Sequence, residues 1–406
     1  MRFTLRSKTK TLKGKIELPG SKSISNRVLI IRALAKTYFD IEGLSEADDT
    51  AIMQSALERN DMITDVGPAG TAMRFLTAYY ASQPGEKVLT GSDRMKQRPI
   101  GTLVNALRAL GASITYLDKE GYPPIQIEGR RLQSGCVSVE GSISSQFITA
   151  LMLIGPTLPQ GIEIDIKGDP LSRPYISMTK SLMESCGAQV TFEGQSIFVK
   201  PGRYRSKTFR IEKDWSASAF WMSLAVLSRK TNFTLLGLTE SSIQGDQSAI
   251  DLFQLFGIEC TFNSEGLNVS KTTLKQKANE WNFRDHPDLV QPAAIAAAGL
   301  GIDFTFHGLD NLRLKESDRI EDLQIELAKM GIETIVDGHS LTVKAGKAAS
   351  ECDIFDAHGD HRLVMSLAAL SMNYPELVIR DPMVVAKSYP NFWKEFEKFV
   401  DVRPGR

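Results

Sequence analysis

The chain has 406 residues, 42% of them hydrophobic, and 48 basic and 48 acidic side chains that cancel to a formal net charge of +0. That length and apolar content support two or more domains with full cores, and the balanced charge excludes the broad basic surface that nucleic-acid binding needs. No apolar run is long enough to span a bilayer, the opening MRFTLRSKTK lacks the apolar centre of a signal peptide, and Cys136, Cys186, Cys260 and Cys352 show no paired spacing, so a cytoplasmic chain with separate thiols is expected.

LPGSKSISNR, residues 18–27, predicts a helix capped by Ser21 or Ser23. Ser23 and Arg27 fall on one face, and Lys22 and Arg27 add positive charge to a helix N-terminus that is already positive. The arrangement suits a carboxylate or phosphate; a capped helix with solvated cations is the plainer alternative. SEADDTAIMQSALERNDMITDVG supplies a helix with almost no hairpin behind it. In GPAGTAMRF, Gly70 lets backbone amides approach a ligand and Thr71 opens a helix. RMKQRP puts Arg94, Lys96 and Arg98 on one side if the segment is extended. GSISSQFITALMLIGP sets Ser142, Ser144, Ser145 and Gln146 ahead of an apolar helix, more hydroxyls than one cap requires. LSRPY adds Ser172 and Tyr175 in a turn held by Pro174.

In the last third of the chain, HPDLVQPAAIAAAG carries Asp288 either as a helix cap or as a partner carboxylate. NLRLKESDRIEDL places Lys315 and Arg319 four apart on a helix, a repulsive spacing unless something neutralises it. Glu316 stands beside Lys315, and a carboxyl near a lysine lets each tune the other's protonation. A surface helix in which Glu316, Asp318 and Asp322 flank Arg319 is the alternative. GDHRLVMSLAALS, with Arg362 behind a capping Asp360, and VVAKSYP, with Lys387, close the series.

A repeat runs beneath these motifs. ALRALGASITYL, SLMESCGAQVTF, LFQLFGIECTF and ELAKMGIETIV each read as an amphipathic helix, a capping glycine and a strand. The glycines Gly111, Gly187, Gly257 and Gly331 stand 76, 70 and 74 residues apart, and a second strand follows each after a turn. A fifth copy falls near residue 400 and an abbreviated sixth near residue 60. Six units in two groups of three are expected, with YRSKTFRIEKDW carrying the chain between groups. No dinucleotide or phosphate-loop fingerprint is present, and the histidines show no metal-ligand spacing. Neither a cofactor nor a metal is expected.

LPGSKSISNR, AGTAMR, LTGSDRMKQRPI, GSISSQF, LKESDRI, GDHR and AKSYP, in that order, resemble the 5-enolpyruvylshikimate-3-phosphate synthase family from about residue 15 to residue 395. The resemblance implies an α/β fold of two inverse α/β barrels, each built from three βαβαββ repeats, one of them truncated. Residues 1–20 and 214–406 would form one domain and residues 21–213 a second inserted into it, with the active site in the cleft. The implied reaction belongs to the shikimate pathway of aromatic amino-acid biosynthesis. It moves the enolpyruvyl group of phosphoenolpyruvate to the 5-hydroxyl of shikimate 3-phosphate by addition and elimination, in a monomer without cofactor, nucleic-acid or membrane partner.

Implied contacts to shikimate 3-phosphate are Lys22, Ser23, Arg27, Ser144, Ser145, Ser172, Asp288, Asn311 and Lys315. Those to phosphoenolpyruvate are Lys22, Gly70, Arg94, Gln146, Arg319, Arg362 and Lys387. Asp288, with Lys315, would take the hydroxyl proton, and Glu316 would protonate the methylene carbon. Pro68 stands where the family usually carries a polar residue, and Phe75 replaces a smaller one, which bears on affinity for phosphoenolpyruvate and its mimic glyphosate. Two other readings are a UDP-N-acetylglucosamine enolpyruvyl transferase, whose reactive loop typically contains a cysteine that GSDRMKQRPIG lacks, and a non-catalytic binding homologue.

Overall fold

A computed structural model describes residues 1–274, 278–346 and 354–405. The chain forms two compact units, Ser21–Ile211 and Met1–Gly20 with Glu212–Arg406. The crossing at Ile211 lies two residues before the boundary expected from the sequence.

Four sheets share one plan, in which two parallel strands are followed by an antiparallel hairpin. In the Ser21–Ile211 unit, Ile63–Asp65 runs parallel to Gly85–Thr90, which pairs with Ile125–Gly129 and through it with Ser113–Tyr116. Gly135–Glu140, Ile162–Lys167, Ser196–Val199 and Val190–Glu193 repeat this order. In the other unit, Thr11–Glu17 and Lys230–Leu236 start one such sheet and Glu280–Asn282 and Phe304–His307 the next. A three-stranded antiparallel sheet centred on Arg2–Ser7 is the fifth. The sixth has only Ile41–Glu42 beside Phe209–Arg210. None of the sheets closes on itself among the described strands.

The repeat glycines mark the turn from helix to hairpin. Gly111, Gly187, Gly257 and Gly331 have φ of 90°, 85°, 80° and 72°, a left-handed conformation that glycine adopts without steric penalty. In the sixth unit the helix Asp48–Glu58 has no hairpin behind it, and the chain passes directly to Ile63–Asp65 of the neighbouring sheet. A cavity of about 400 Å³, lined by Ile52, Ala56, Arg59 and Ile63 among others, lies at that gap.

Each unit encloses its most apolar helices. Trp215–Leu227 is buried at every position but Leu227; alanines of Val290–Leu300 bring that helix against it, and Phe392, Phe396 and Phe399 surround Trp221. In the Ser21–Ile211 unit, Ser145–Ile154 holds the same role between Gly70–Ala81 and Arg173–Ser185. Among the described helices, none is long and apolar enough to cross a membrane. Cys136, Cys186 and Cys260 are free thiols; Cys352 lies outside the described residues.

Candidate active site

In the Ser21–Ile211 unit the candidate residues gather at helix N-termini. Ser21 caps the helix Lys22–Ala35 by accepting from the Ile24 amide, so Ser23 lies inside the first turn. Lys22 Nζ reaches Asp49 Oδ2 at 2.9 Å. Arg27 is only 3% exposed. Its Nε donates to Thr179 Oγ1 at 2.8 Å and its Nη1 to the Ser23 carbonyl at 2.8 Å. The rings of Phe75 and Tyr175 lie 5.4 and 5.9 Å from the guanidinium carbon, within cation–π range. Burial, opposed by Tyr175, lowers the Arg27 pKa to about 10. Phe75 therefore forms part of the wall that holds Arg27.

Gly70 begins the helix Gly70–Ala81, and a Cβ added there would lie 2.6 Å from Arg98 Nη1. Only glycine leaves the buried guanidinium that space. Arg74 donates to the Pro99 carbonyl at 3.0 Å, tying this helix to the RMKQRP segment. The loop before Gly70 closes through the Gly67 amide on Asp65 Oδ1 and the Ala69 amide on the Val66 carbonyl. Pro68, exposed between them, is thus compatible with the turn. Gln146 Nε2 donates to Thr71 Oγ1 at 3.2 Å, and Ser144 caps the Gln146 helix. Ser145 is buried, and Ser172 is buried in a left-handed conformation ahead of Arg173–Ser185.

The extended reading of RMKQRP is overturned. Ser92 caps a single helical turn, Asp93–Lys96, because its hydroxyl can accept the Met95 amide. Arg94 is half-buried on that turn, whereas Arg98 turns inward.

In the other unit the centre is Arg319, 1% exposed. Its Nε donates to Asp360 Oδ2 at 2.6 Å, Nη1 to Asp288 Oδ1 at 3.0 Å and Nη2 to Glu316 Oε2 at 3.2 Å. Arg362 Nη2 donates to Asp288 Oδ2 at 2.6 Å, and Lys387 Nζ stands 3.8 Å from Glu316 Oε1. Burial favours a protonated Asp288, but Arg362, Arg319 and Lys315 outweigh it and hold the carboxyl far below the usual range. Burial likewise works against a charged Arg319, and Asp360, Glu316 and Asp288 overcome it and raise its pKa. Asn311 is buried at the head of a short turn, Leu312–Leu314.

The structure corrects the single helix expected through Lys315 and Arg319. Lys315 is extended at φ −83° and ψ −157°, and the helix Arg319–Lys329 begins behind Asp318, which accepts both the Ile320 and Glu321 amides. The two cations do not share a helical face; both act on Asp288 instead. Asp288 lies in a short Pro287–Leu289 turn and caps no helix. Asp360, read from the sequence only as a cap, does accept the Arg362 amide at 2.8 Å and also grips Arg319. Asp49 and Thr179 are the other partners that spacing alone did not single out. Among the described residues no group of histidine, cysteine and carboxylates could hold a metal ion.

The family model described as EPSP synthase (3-phosphoshikimate 1-carboxyvinyltransferase) matches residues 6–60 and 53–396. The two segments meet where the hairpin is missing. A 3-phosphoshikimate 1-carboxyvinyltransferase of Bacteroides fragilis (strain YCH46) is 41% identical over 401 residues, covering 98% of each chain. One from Sulfurovum sp. (strain NBC37-1) is 34% identical, covering 95% of this chain and 96% of the relative. Among solved structures, EPSP synthase from Acinetobacter baumannii superposes with a TM-score of 0.77 at 21% identity, over 99% of this chain and all of that one. The enolpyruvyl transferase NikO from Streptomyces tendae gives 0.76 at 16% identity, over 99% and 98%. The fold is that of these proteins.

Proposed function

The chain belongs to the EPSP synthase family, and from that premise we propose that its two sets of clustered residues act on one pair of anionic substrates. The activity is that of a 3-phosphoshikimate 1-carboxyvinyltransferase: the carboxyvinyl group of phosphoenolpyruvate passes to shikimate 3-phosphate, and phosphate is released. A nucleotide-sugar acceptor is not favoured by any of these relatives.

The assignment of roles is our proposal. Lys22, Ser23, Arg27, Ser144, Ser145, Ser172, Asn311 and Lys315, with Asp288, receive shikimate 3-phosphate. Lys22, Gly70, Arg94, Gln146, Arg319, Arg362 and Lys387 receive phosphoenolpyruvate. Asp288 takes the proton of the 5-hydroxyl, with Lys315 steadying the resulting charge, while Glu316 gives a proton to the methylene carbon. The alkoxide oxygen then bonds to C2. Glu316 takes back a methyl proton as phosphate departs with the proton held by Asp288, which restores the double bond. Bidentate arginines fix the substrate carboxylate and phosphate and stabilise the charge that shifts between them.

What carries the proposal is Arg319, a buried guanidinium gripped by carboxylates from three separate segments at 2.6, 3.0 and 3.2 Å. Arg319 and Lys387 both face Glu316, and on this reading they turn from it to the substrate anions as it gives up its proton. Those anions likewise release Asp288, restoring the basicity that its arginine partners suppress. Phosphate release from the purified protein with both substrates is the direct test: turnover with shikimate 3-phosphate is expected, and turnover only with UDP-N-acetylglucosamine, or binding without release, would overturn the proposal. A cytoplasmic monomer without nucleic-acid or membrane partners completes it, with the oligomeric state checked by light scattering.

A further inference from the structure

The helix Arg319–Lys329 carries more chemistry than its first residue. Arg319, Asp322, Glu326 and Lys329 are spaced so that they lie along one face, and that face meets the segment Ile354–Asp360. Lys329 Nζ donates to the Ile354 carbonyl at 2.9 Å and to Glu326 Oε1 and Oε2 at 2.9 and 2.8 Å. Glu326, 0% exposed, accepts the Asp356 amide at 3.1 Å. Midway along the segment, His358 Nε2 meets Glu326 Oε1 at 2.6 Å and His358 Nδ1 faces Asp322 Oδ1 at 3.4 Å. At the far end Asp360 grips Arg319.

His358 is thus the one side chain of this segment that engages two carboxylates one helical turn apart. Its backbone is in the left-handed region, φ 48°, where a non-glycine residue is held only by its surroundings. The charged groups around it are Asp322, Glu326 and Lys329 from the helix and Asp356 from its own segment, whose Oδ1 accepts the His358 amide at 2.9 Å. Arg380 from the strand Leu377–Arg380 backs Asp356 at 3.6 Å. Asp360 and Asp318 act on Asp322. Both ring nitrogens face carboxylate oxygens, and only an imidazolium can donate from both.

We infer that His358 is a positioning residue for phosphoenolpyruvate: its ring fastens the segment bearing Asp360 to the helix bearing Arg319 and so fixes the guanidinium that receives the substrate anion. This rests on the role proposed above for Arg319. Asp322 supports it as the second anchor: burial pushes that carboxyl up to about 6 against the help of Ser317 and His358, and it faces His358 Nδ1 at 3.4 Å.

Three variants test this. His358→Asn keeps a residue type that tolerates left-handed backbone but cannot span both carboxylates, His358→Gln can reach one, and Arg319→Lys tests the site itself. His358→Asn should raise KM for phosphoenolpyruvate roughly tenfold, as expected when a binding group is misplaced by a fraction of an ångström, and leave kcat within about twofold. His358→Gln should fall between. Variants that melt earlier but keep the wild-type KM, while Arg319→Lys raises KM, would overturn the positioning role alone. An Arg319→Lys protein with unchanged KM for phosphoenolpyruvate would overturn both this role and the proposed site.

Discussion

Replacing Asp322 by Asn should stabilise the fold near neutral pH while weakening phosphoenolpyruvate binding. The Asp322 side chain is 10% exposed, and burial, opposed by Ser317 and His358 and reinforced by Asp360 and Asp318, pushes its carboxyl up to about 6. In an unfolded chain an Asp titrates at about 3.9. The native state therefore holds this proton the more tightly. Stability is undiminished below about pH 4, falls as pH rises from about 4 to about 6, and stays reduced above that. A difference of about two pH units corresponds to roughly 3 kcal/mol. Asn keeps the shape but forfeits the 3.4 Å pairing with His358. The net gain expected at pH 7.5 is about 1–3 kcal/mol, read as a higher urea midpoint at unchanged slope. Near pH 4 the two proteins should unfold together. A loss of stability at pH 7.5, or an equal gain at pH 4, would refute the reasoning. In the stabilised protein KM for phosphoenolpyruvate should rise several-fold, the usual relation between a strained functional site and stability.

Glu316→Gln should bind shikimate 3-phosphate almost normally by titration calorimetry yet release no phosphate; parallel loss of both would contradict its role as proton donor. Gly70→Ala sets a methyl 2.6 Å from Arg98 Nη1, so the guanidinium must move. KM for phosphoenolpyruvate should rise by about tenfold or more with little change in melting temperature, and Arg98→Ala in the same chain should relieve the clash. Asp360→Ala removes both the cap on the Arg362 amide and a buried partner of Arg319. Denaturant unfolding should register a loss of about 3–5 kcal/mol, and a loss below about 1 kcal/mol would mean that Asp288 and Glu316 satisfy Arg319 without it.

Local chemistry was legible wherever one residue type was uniquely suited. The four repeat glycines could be read because a left-handed helix end favours glycine, and all four adopt it. Asp360 caps as its position predicted, and the open choices among serines resolve to Ser21 for one helix and Ser144 for another. The helix start at Arg319 was missed because KESDR is as compatible with a continuous helix as with a break. Asp318 settles it by accepting two amides, and burial of Arg319 among distant carboxylates makes that break worthwhile. Lys22 with Asp49, Arg27 with Thr179 and Arg319 with Asp360 join residues 27, 152 and 41 positions apart, a separation that no periodicity records. Arg94 and Arg98 look equivalent in RMKQRP; only packing against Gly70 separates them.

The internal carboxylates change what anion binding requires. Lys22 faces Asp49, Arg362 faces Asp288, Lys387 faces Glu316, and Arg319 faces Asp288, Glu316 and Asp360. A buried cation left without any partner would be strongly destabilising, so these pairings keep the fold intact before substrate arrives. On the roles proposed above, binding is then an exchange: a substrate anion must displace a carboxylate already in place, and only a ligand that matches the geometry of several cations at once gains by doing so. The exchange also selects when chemistry begins. Asp360, fully buried and fixed by the Arg362 amide, stays with Arg319, whereas Asp288 and Glu316, whose side chains are 18% and 13% exposed, are the two that can leave. They are also the two assigned to move protons. On those assignments, the carboxylates that neutralise these cations serve as base and acid when phosphoenolpyruvate takes their place on the arginines.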